Sequence, residues 1–152
     1  IKRDEDGRVV GLVIDSSWPL PPHTENTWLV AIDGSAHARR TAAEAARLSR
    51  GMLHLMNVQP WLSKEAAETE LARRGWEATT EARATLDAVG HAWRLHVAMG
   101  DSAECIVALA KHLGCHGVVI GSRGLGTAET LLIGSVAYKV IHLSPVSVLV
   151  VR

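Results

Sequence analysis

A glycine-rich stretch near the end of the chain constrains the fold more than any other feature. Residues 117–138 have the sequence GVVIGSRGLGTAETLLIGSVAY. The unbroken β-branched run at residues 118–120 predicts a strand buried on both faces, as in a parallel sheet. Glycines end that strand, and a helical pattern of apolar residues begins near Ser135. The stretch therefore predicts a strand, a loop and the start of a helix.

This arrangement predicts an anion site. Gly121, Gly124 and Gly126 lack Cβ atoms, so the loop backbone can approach a ligand with its N–H groups exposed. A helix that begins after Gly134 has unpaired N–H donors and a partial positive charge in its first turn, which favours phosphate. The spacing is neither the G-x-G-x-x-G fingerprint nor a Walker A loop, since no lysine precedes Ser135. The alternative is that these glycines serve only turns and a helix cap.

Composition limits the class of protein. The 152 residues suffice for one domain and leave no room for a second. Lysine plus arginine number 16 and aspartate plus glutamate number 16, so no net field attracts nucleic acid or an acidic membrane. No apolar run approaches roughly 18 residues, and no secretory signal opens the chain. We expect a cytoplasmic protein that binds neither nucleic acid nor membranes, with reduced thiols at Cys105 and Cys115.

Residues 1–27 form an N-terminal extension or linker with a less certain role. Residues 9–14 have a strand-like pattern, and a proline-rich segment at residues 18–22 predicts an extended linker of polyproline type. The strand could pair with a sheet edge, exchange with a neighbouring chain, or be the remnant of an upstream domain. These alternatives stay open at the level of sequence.

Residues 28–152 alternate strand and helix patterns, which predicts one α/β domain with a parallel sheet and right-handed crossovers. One helix is expected from residue 63 to about residue 89, with Gly75 as its weak point. Another opens at a capping-box-like sequence beginning at Asp101 and ends at Gly114. The strands are predicted at residues 28–32, 52–58, 93–99, 118–120 and 146–151.

The loop spacing resembles that of a known family. Gly121, Gly124, Gly134 and Ser135 match the G-x2-G-x9-G-S/T loop of the ATP-binding branch of the universal stress protein family, and the resemblance covers residues 28–152. It implies an open five-stranded parallel sheet of order 3-2-1-4-5 with helices on both faces, a Rossmann-like fold similar to adenine nucleotide alpha hydrolases. Ligands of such sheets lie where the strand order reverses, here between the first and fourth strands.

The resemblance also implies a ligand, ATP, ADP or AMP, with Mg²⁺ or Mn²⁺ as the candidate metal. Asp33 would accept hydrogen bonds from the ribose or the base, although a helix N-cap is its alternative role. The main chain at Val58 would meet adenine, and Asn57 stands where many members carry histidine. The predicted nucleotide contacts are Ala31, Ile32, Asp33, Val58, Gly100, Gly121, Ser122, Arg123, Gly124, Gly134, Ser135 and Val136.

Two of these positions have equally plain alternatives. Gly100 matches a family glycine near the ligand, but it could serve only a strand-to-helix turn. Arg123 could donate a fork of hydrogen bonds to a β- or γ-phosphate, or it could be a solvated loop side chain. A metal site built from the nearby cysteines and histidines is not expected, because Gly114 interrupts the helix that would align His112 with His116.

The sequence favours a nucleotide-dependent stress regulator or sensor over a fast enzyme. Phosphoryl transfer needs metal ligands and a positioned base or water, and no Walker B acid or kinase-type pair is visible, so we name no catalytic residue. The alternatives are a slow ATPase and a dimeric interaction module without nucleotide. The last strand, with Val146 and Val151 at its ends, would be an apolar edge, and the family resemblance implies a homodimer through it.

Overall fold

The computed structural model describes residues 1–19, 26–122 and 133–152. Within these residues, strands and helices alternate over most of the chain. The strands are β1 (Lys2–Arg3), β2 (Val9–Asp15), β3 (Trp28–Ala31), β4 (Leu53–Gln59), β5 (Trp93–Met99), β6 (Gly117–Gly121) and β7 (Ser147–Val151). The helices are α1 (Ala38–Leu48), α2 (Lys64–Ala78), α3 (Thr80–Ala88), α4 (Ser102–Leu113) and α5 (Ser135–Leu143).

All strands belong to one sheet of order β1-β2-β5-β4-β3-β6-β7. The five predicted core strands, β3 to β7, are mutually parallel and have the order 3-2-1-4-5, as expected. The expected total of five strands is wrong, because β2 adds to the edge strand β5 and β1 adds to β2, both in antiparallel orientation. The described sheet is therefore mixed and has seven strands.

Of the roles left open for the strand-like residues 9–14, the structure shows pairing with a sheet edge. Strand β2 pairs with β5 from Gly11 opposite Ala98 to Asp15 opposite Arg94, so residues 9–14 extend the sheet of their own chain. The Arg94 Nε donates to Asp15 Oδ1 at 2.6 Å across the two strands. Behind this pair, the indole N–H of Trp18 donates to Asp87 Oδ1 at 3.1 Å. These contacts fasten the N-terminal segment to the sheet and to α3.

Helices cover both faces of the sheet and create two cores. Neighbouring residues of β4 show the alternation of a strand: Leu55 packs with residues of α1 to α3, and Met56 packs with residues of α4 and α5. Small residues on α1, such as Ala42 and Ala45, are fully buried and let that helix lie close to the sheet. No helix within the described residues has the length and apolar character to span a membrane.

The single helix predicted from residue 63 to about residue 89 is wrong, because α2 and α3 are separated at Thr79. Thr79 Oγ1 donates to the backbone oxygens of Gly75 at 2.9 Å and Trp76 at 3.2 Å. A side chain that bonds the preceding turn competes with the regular ladder and bends a helix. Gly75 itself stays helical. A Cβ at this position would overlap the side chain of Val97 on β5, which explains the glycine.

The predicted ends of α4 are confirmed. Asp101 is the N-cap residue, and its Oδ1 accepts a hydrogen bond from the Glu104 N–H at 2.9 Å. Gly114 closes the helix in the left-handed conformation, with φ of 65°. Some predicted strand bounds differ from the observed ones by one residue, as at the end of β3, where the Ile32 N–H still donates to the Met56 oxygen.

Candidate functional site

A cavity of about 290 Å³ opens at the carboxyl ends of β3, β4 and β6. This volume is close to the lower end of the roughly 300 to 1,000 Å³ typical of ligand pockets. The first residues of α1, α4 and α5 complete its wall. Nine of the predicted contact residues line it together, namely Ala31, Ile32, Asp33, Val58, Gly121, Ser122, Gly134, Ser135 and Val136.

Of the remaining three predicted residues, only Gly100 belongs to the part of the chain that the structure describes, and it does not line the cavity. Arg123 and Gly124 lie outside the described residues. Gly100 makes the turn from β5 to α4 with φ of 133°, and its N–H donates to the Gln59 oxygen. This value of φ favours glycine, so the turn gives a physical reason for Gly100 that does not involve a ligand.

The two ends of the glycine-rich loop meet at the cavity. The Gly134 N–H donates to the Ser122 oxygen, and the Ser122 N–H donates to the Val151 oxygen of β7 at 2.7 Å. Gly134 is the N-cap residue of α5, and no side chain of the described residues caps this helix. The first-turn N–H groups of α5, at Ser135 and Val136, therefore have no acceptor within the helix and can receive an anion.

Asp33 shapes the turn after β3. Its Oδ1 accepts a hydrogen bond from the Ser35 N–H at 2.9 Å, which is an Asx turn. The alternative role of Asp33 as a helix N-cap is wrong, because α1 begins at Ala38 and is preceded by His37. The chain turns at Gly34, which has φ of 85°. Asp33 lies before this turn and lines the cavity.

Two amides on β4 line the cavity and were not predicted as contacts. Asn57 is 1% exposed, and its Nδ2 donates to the Ile32 oxygen at 2.8 Å. Its Oδ1 accepts a hydrogen bond from Gln59 Nε2 at 2.7 Å. The signal in the sequence is polar residues on either side of Val58, immediately before the strand-ending Pro60.

An ion pair joins α4 and α5 beside the cavity. Lys139 Nζ on α5 lies 3.1 Å from Asp101 Oδ2 at the start of α4. The Glu104 N–H and the Lys139 ammonium both favour the ionised carboxylate, and together they lower the pKa of Asp101. The pair links the N-terminus of α4 to the middle of α5, and Asp101 is next in the chain to Ser102 of the cavity wall.

Asp33 is the sole ionisable side chain among the described residues that line the cavity. Within that part of the chain, phosphate would therefore be bound by backbone and hydroxyl donors rather than by cations. This distribution suits a ligand that combines an anionic group with hydroxyl groups.

A histidine pair lies outside the cavity, between β4 and β5. His54 Nδ1 is 2.9 Å from His96 Nε2. Burial, followed by the nearby Arg94 guanidinium for His54 and by the partner ring for His96, lowers the pKa of each imidazole to about 4. Among residues 1–19, 26–122 and 133–152, no group of three or more histidine, cysteine or acidic residues could hold a metal ion.

Comparison with known proteins shows the family. The model of the universal stress protein family matches residues 26–152 of this chain. The chain belongs to the universal stress protein family. The matched range contains the core strands β3 to β7 and every residue of the cavity wall named above. The seven-stranded sheet thus combines a universal stress protein fold with added strands from residues outside the matched range.

Individual universal stress proteins are similar over most of this chain. A universal stress protein of Thermus aquaticus, named for its position in the 3' region of a QAH/OAS sulfhydrylase gene, is 32% identical in an alignment of 134 positions that covers 83% of this chain and 98% of that protein. A universal stress protein solved in complex with cAMP is 26% identical, with a TM-score of 0.68 over 84% of this chain and 97% of that one. A structure from Archaeoglobus fulgidus shares the fold at 23% identity, with a TM-score of 0.68 over 83% and 98% of the two chains.

Proposed function

We propose that this universal stress protein binds an adenine nucleotide, with ATP as the expected ligand, and acts as a nucleotide-dependent regulator or sensor in the stress response. The observation that supports this most is the meeting of three elements at one cavity. These are the end of β6 at Gly121, the uncapped first turn of α5 at Ser135, and the carboxylate of Asp33 after β3.

Each part of the ligand has a matching part of the cavity. Phosphates would accept hydrogen bonds from the N–H groups of Ser135 and Val136 and from the Ser135 hydroxyl, and Gly121, without a side chain, would let them approach the end of β6. The ribose hydroxyls would donate to Asp33. Adenine would lie against β4 with its edge at the main chain of Val58. Mg²⁺ or Mn²⁺ would enter with ATP as the counterion of its phosphates.

A similar protein gives independent support for this ligand class. The universal stress protein that is 26% identical to this chain was solved in complex with cAMP, which contains adenine, ribose and one phosphate. Its similarity covers 84% of this chain and 97% of that one. The free state of Cys105 and Cys115 also suits the reducing cytoplasm, the compartment that we propose for this regulator.

We also propose that the protein is a homodimer paired through β7. This strand is the outer edge of the sheet, and it has backbone groups on one side that β6 does not pair. The other outer strand, β1, has only two residues, both exposed and basic, which discourages strand addition at that edge.

Analysis of the bound small molecule tests the proposal. The purified protein would be denatured, and the released compounds would be identified by mass spectrometry. We expect an adenine nucleotide in a substantial fraction of the chains. Protein that carries no nucleotide, and that takes up none after incubation with millimolar ATP and removal of unbound ligand, would contradict the proposal.

A further inference from the structure

A chain of hydrogen bonds runs from the backbone of β3 to the cavity. The Ile32 oxygen accepts from Asn57 Nδ2 at 2.8 Å, and Asn57 Oδ1 accepts from Gln59 Nε2 at 2.7 Å. Asn57 is buried, whereas Gln59 is partly exposed and lines the cavity. The side chain of Gln59 is thus held by its NH₂ group on one side only.

The direction of this chain is fixed by its first member. A backbone carbonyl can only accept, so Asn57 must turn its NH₂ group towards Ile32. The Asn57 oxygen then faces Gln59, so Gln59 must donate a hydrogen bond from its own NH₂ group. A flipped Gln59 amide would place two oxygens at hydrogen-bond distance and leave the buried Asn57 Oδ1 without its donor. The orientation of the Gln59 amide is therefore set by Ile32 through Asn57.

The fixed amide presents a definite pattern to a ligand. Gln59 Oε1 has no donor within the described residues, and the second hydrogen of Nε2 is not used by Asn57. An acceptor beside a donor complements the edge of adenine, where the 6-amino group donates and the neighbouring ring nitrogen accepts. A 6-oxo purine such as hypoxanthine would bring its oxygen against Gln59 Oε1. The amide cannot turn to avoid this contact without losing Asn57.

We propose that Gln59 is the residue by which the cavity selects a 6-amino purine over a 6-oxo purine, and that Asn57 is its positioning residue. The inference rests on the proposed binding of an adenine nucleotide, because the base must lie against β4. Gln59 would add a side-chain contact with the edge of the base to the main-chain contact expected at Val58. A donor and an acceptor in fixed order give discrimination because the wrong base leaves buried polar groups unpaired.

The test compares ATP with ITP, which differ at position 6 of the purine and share the sugar and the triphosphate. Calorimetry on the folded wild type should show ATP bound at least about 10-fold more tightly than ITP. In Gln59→Met, which keeps the length of the side chain and removes the amide, this ratio should fall at least about 5-fold. In Asn57→Leu, the ratio should fall as well although Gln59 is retained, because its amide is then free to flip.

The outcomes separate this inference from the function on which it rests. Equal ratios in the wild type and Gln59→Met, with ATP still bound, would overturn the role of Gln59 and leave nucleotide binding intact. A wild type that binds neither nucleotide would overturn both. If Asn57→Leu does not fold, Gln59→Met still decides, because the Gln59 side chain is only partly buried and its loss leaves a single buried acceptor, Asn57 Oδ1, without its donor. A preference for ITP in the wild type would also overturn the inference.

Discussion

The backbone of Gly134 is hydrogen-bonded to the backbone of Ser122, with the Gly134 N–H as donor. This bond holds the start of α5 against the end of β6, so that the unpaired N–H groups of the helix and the last residues of the strand face the same cavity. An anion at this point would meet the first-turn N–H groups of α5. The most direct consequences concern residues at this junction.

Gly134→Val should abolish ATP binding while leaving the fold intact. Gly134 has φ of −75° and ψ of 163°, extended backbone that any residue can adopt, so the substitution brings no backbone strain. The new side chain would instead occupy space beside the first turn of α5. Calorimetry should show no binding at millimolar ATP, and Gly134→Ala should give an intermediate loss. A folded Gly134→Val protein with wild-type affinity would contradict the phosphate position.

The carboxylate of Asp33 should contribute to ATP binding directly, and not only by shaping the turn after β3. Asp33→Ala removes the acceptor for the Ser35 N–H as well as the proposed ribose contact, whereas Asp33→Asn keeps an acceptor oxygen for the turn. We expect about a 10- to 100-fold loss of ATP affinity in the alanine variant, as for a hydrogen bond to a charged group, and a smaller loss in the asparagine variant. Alanine and wild-type proteins of equal affinity would exclude a contact between Asp33 and the nucleotide.

Gly75→Ala should destabilise the protein although alanine favours helices by about 1 kcal/mol over glycine. The added methyl group would overlap Val97, and overpacking of this kind costs about 1 to 3 kcal/mol. Urea denaturation should therefore show a net loss of stability. In a Val97→Ala background, the same substitution should become neutral or stabilising. A gain from Gly75→Ala in the wild-type background would show that the two elements are not packed as closely as described.

Stability should fall as the pH is lowered from about 6.5 to about 4. The folded pKa of both His54 and His96 is about 4, below the ordinary value of 6.5, so the unfolded chain binds protons in this window that the folded protein does not. The free energy of unfolding, measured by urea at a series of pH values, should decrease through the window. His54→Leu should reduce the slope, because one of the two titrating rings is gone. A slope unchanged by this substitution would show that groups other than His54 cause the pH dependence of stability.

The mass of the particle in solution should be about twice the chain mass of 16.3 kDa. The physical reason is the outer side of β7, which pairs with no other strand of the described residues and whose residues from Val148 to Val150 are apolar and half-buried. Light scattering after size-exclusion chromatography measures this mass over a range of concentrations. A monomer mass at high micromolar concentration would argue against pairing through β7.

Local sequence patterns predict the core of the sheet well. The β-branched run of β6 and the alternation of strand and helix patterns indicate a parallel sheet, and the family resemblance gives its order. The Gly134-Ser135 pair marks the start of α5, which begins at Ser135 as expected. Asp101 and Gly114 define α4, because capping depends on residues close together in the chain.

The features that sequence reasoning misses depend on distant contacts. The break at Thr79 is supported by Arg83, whose Nε donates to Thr79 Oγ1 and whose guanidinium lies 3.3 Å from the centre of the Trp76 ring. The pairing of β2 with β5 joins two segments that are far apart in the chain, and no local pattern reveals such a pairing. The importance of Gln59 depends on Ile32 and Asn57, and its sequence neighbours alone suggest only a strand end.

Titration calorimetry of the folded wild type with ATP tests the central claim most directly. We predict about one nucleotide bound per chain with micromolar affinity, which corresponds to about 8 kcal/mol of binding free energy. We also predict that excess ADP or AMP competes for the same site. A natively folded protein that gives no binding heat with millimolar ATP, and no shift in melting temperature on its addition, would contradict the account.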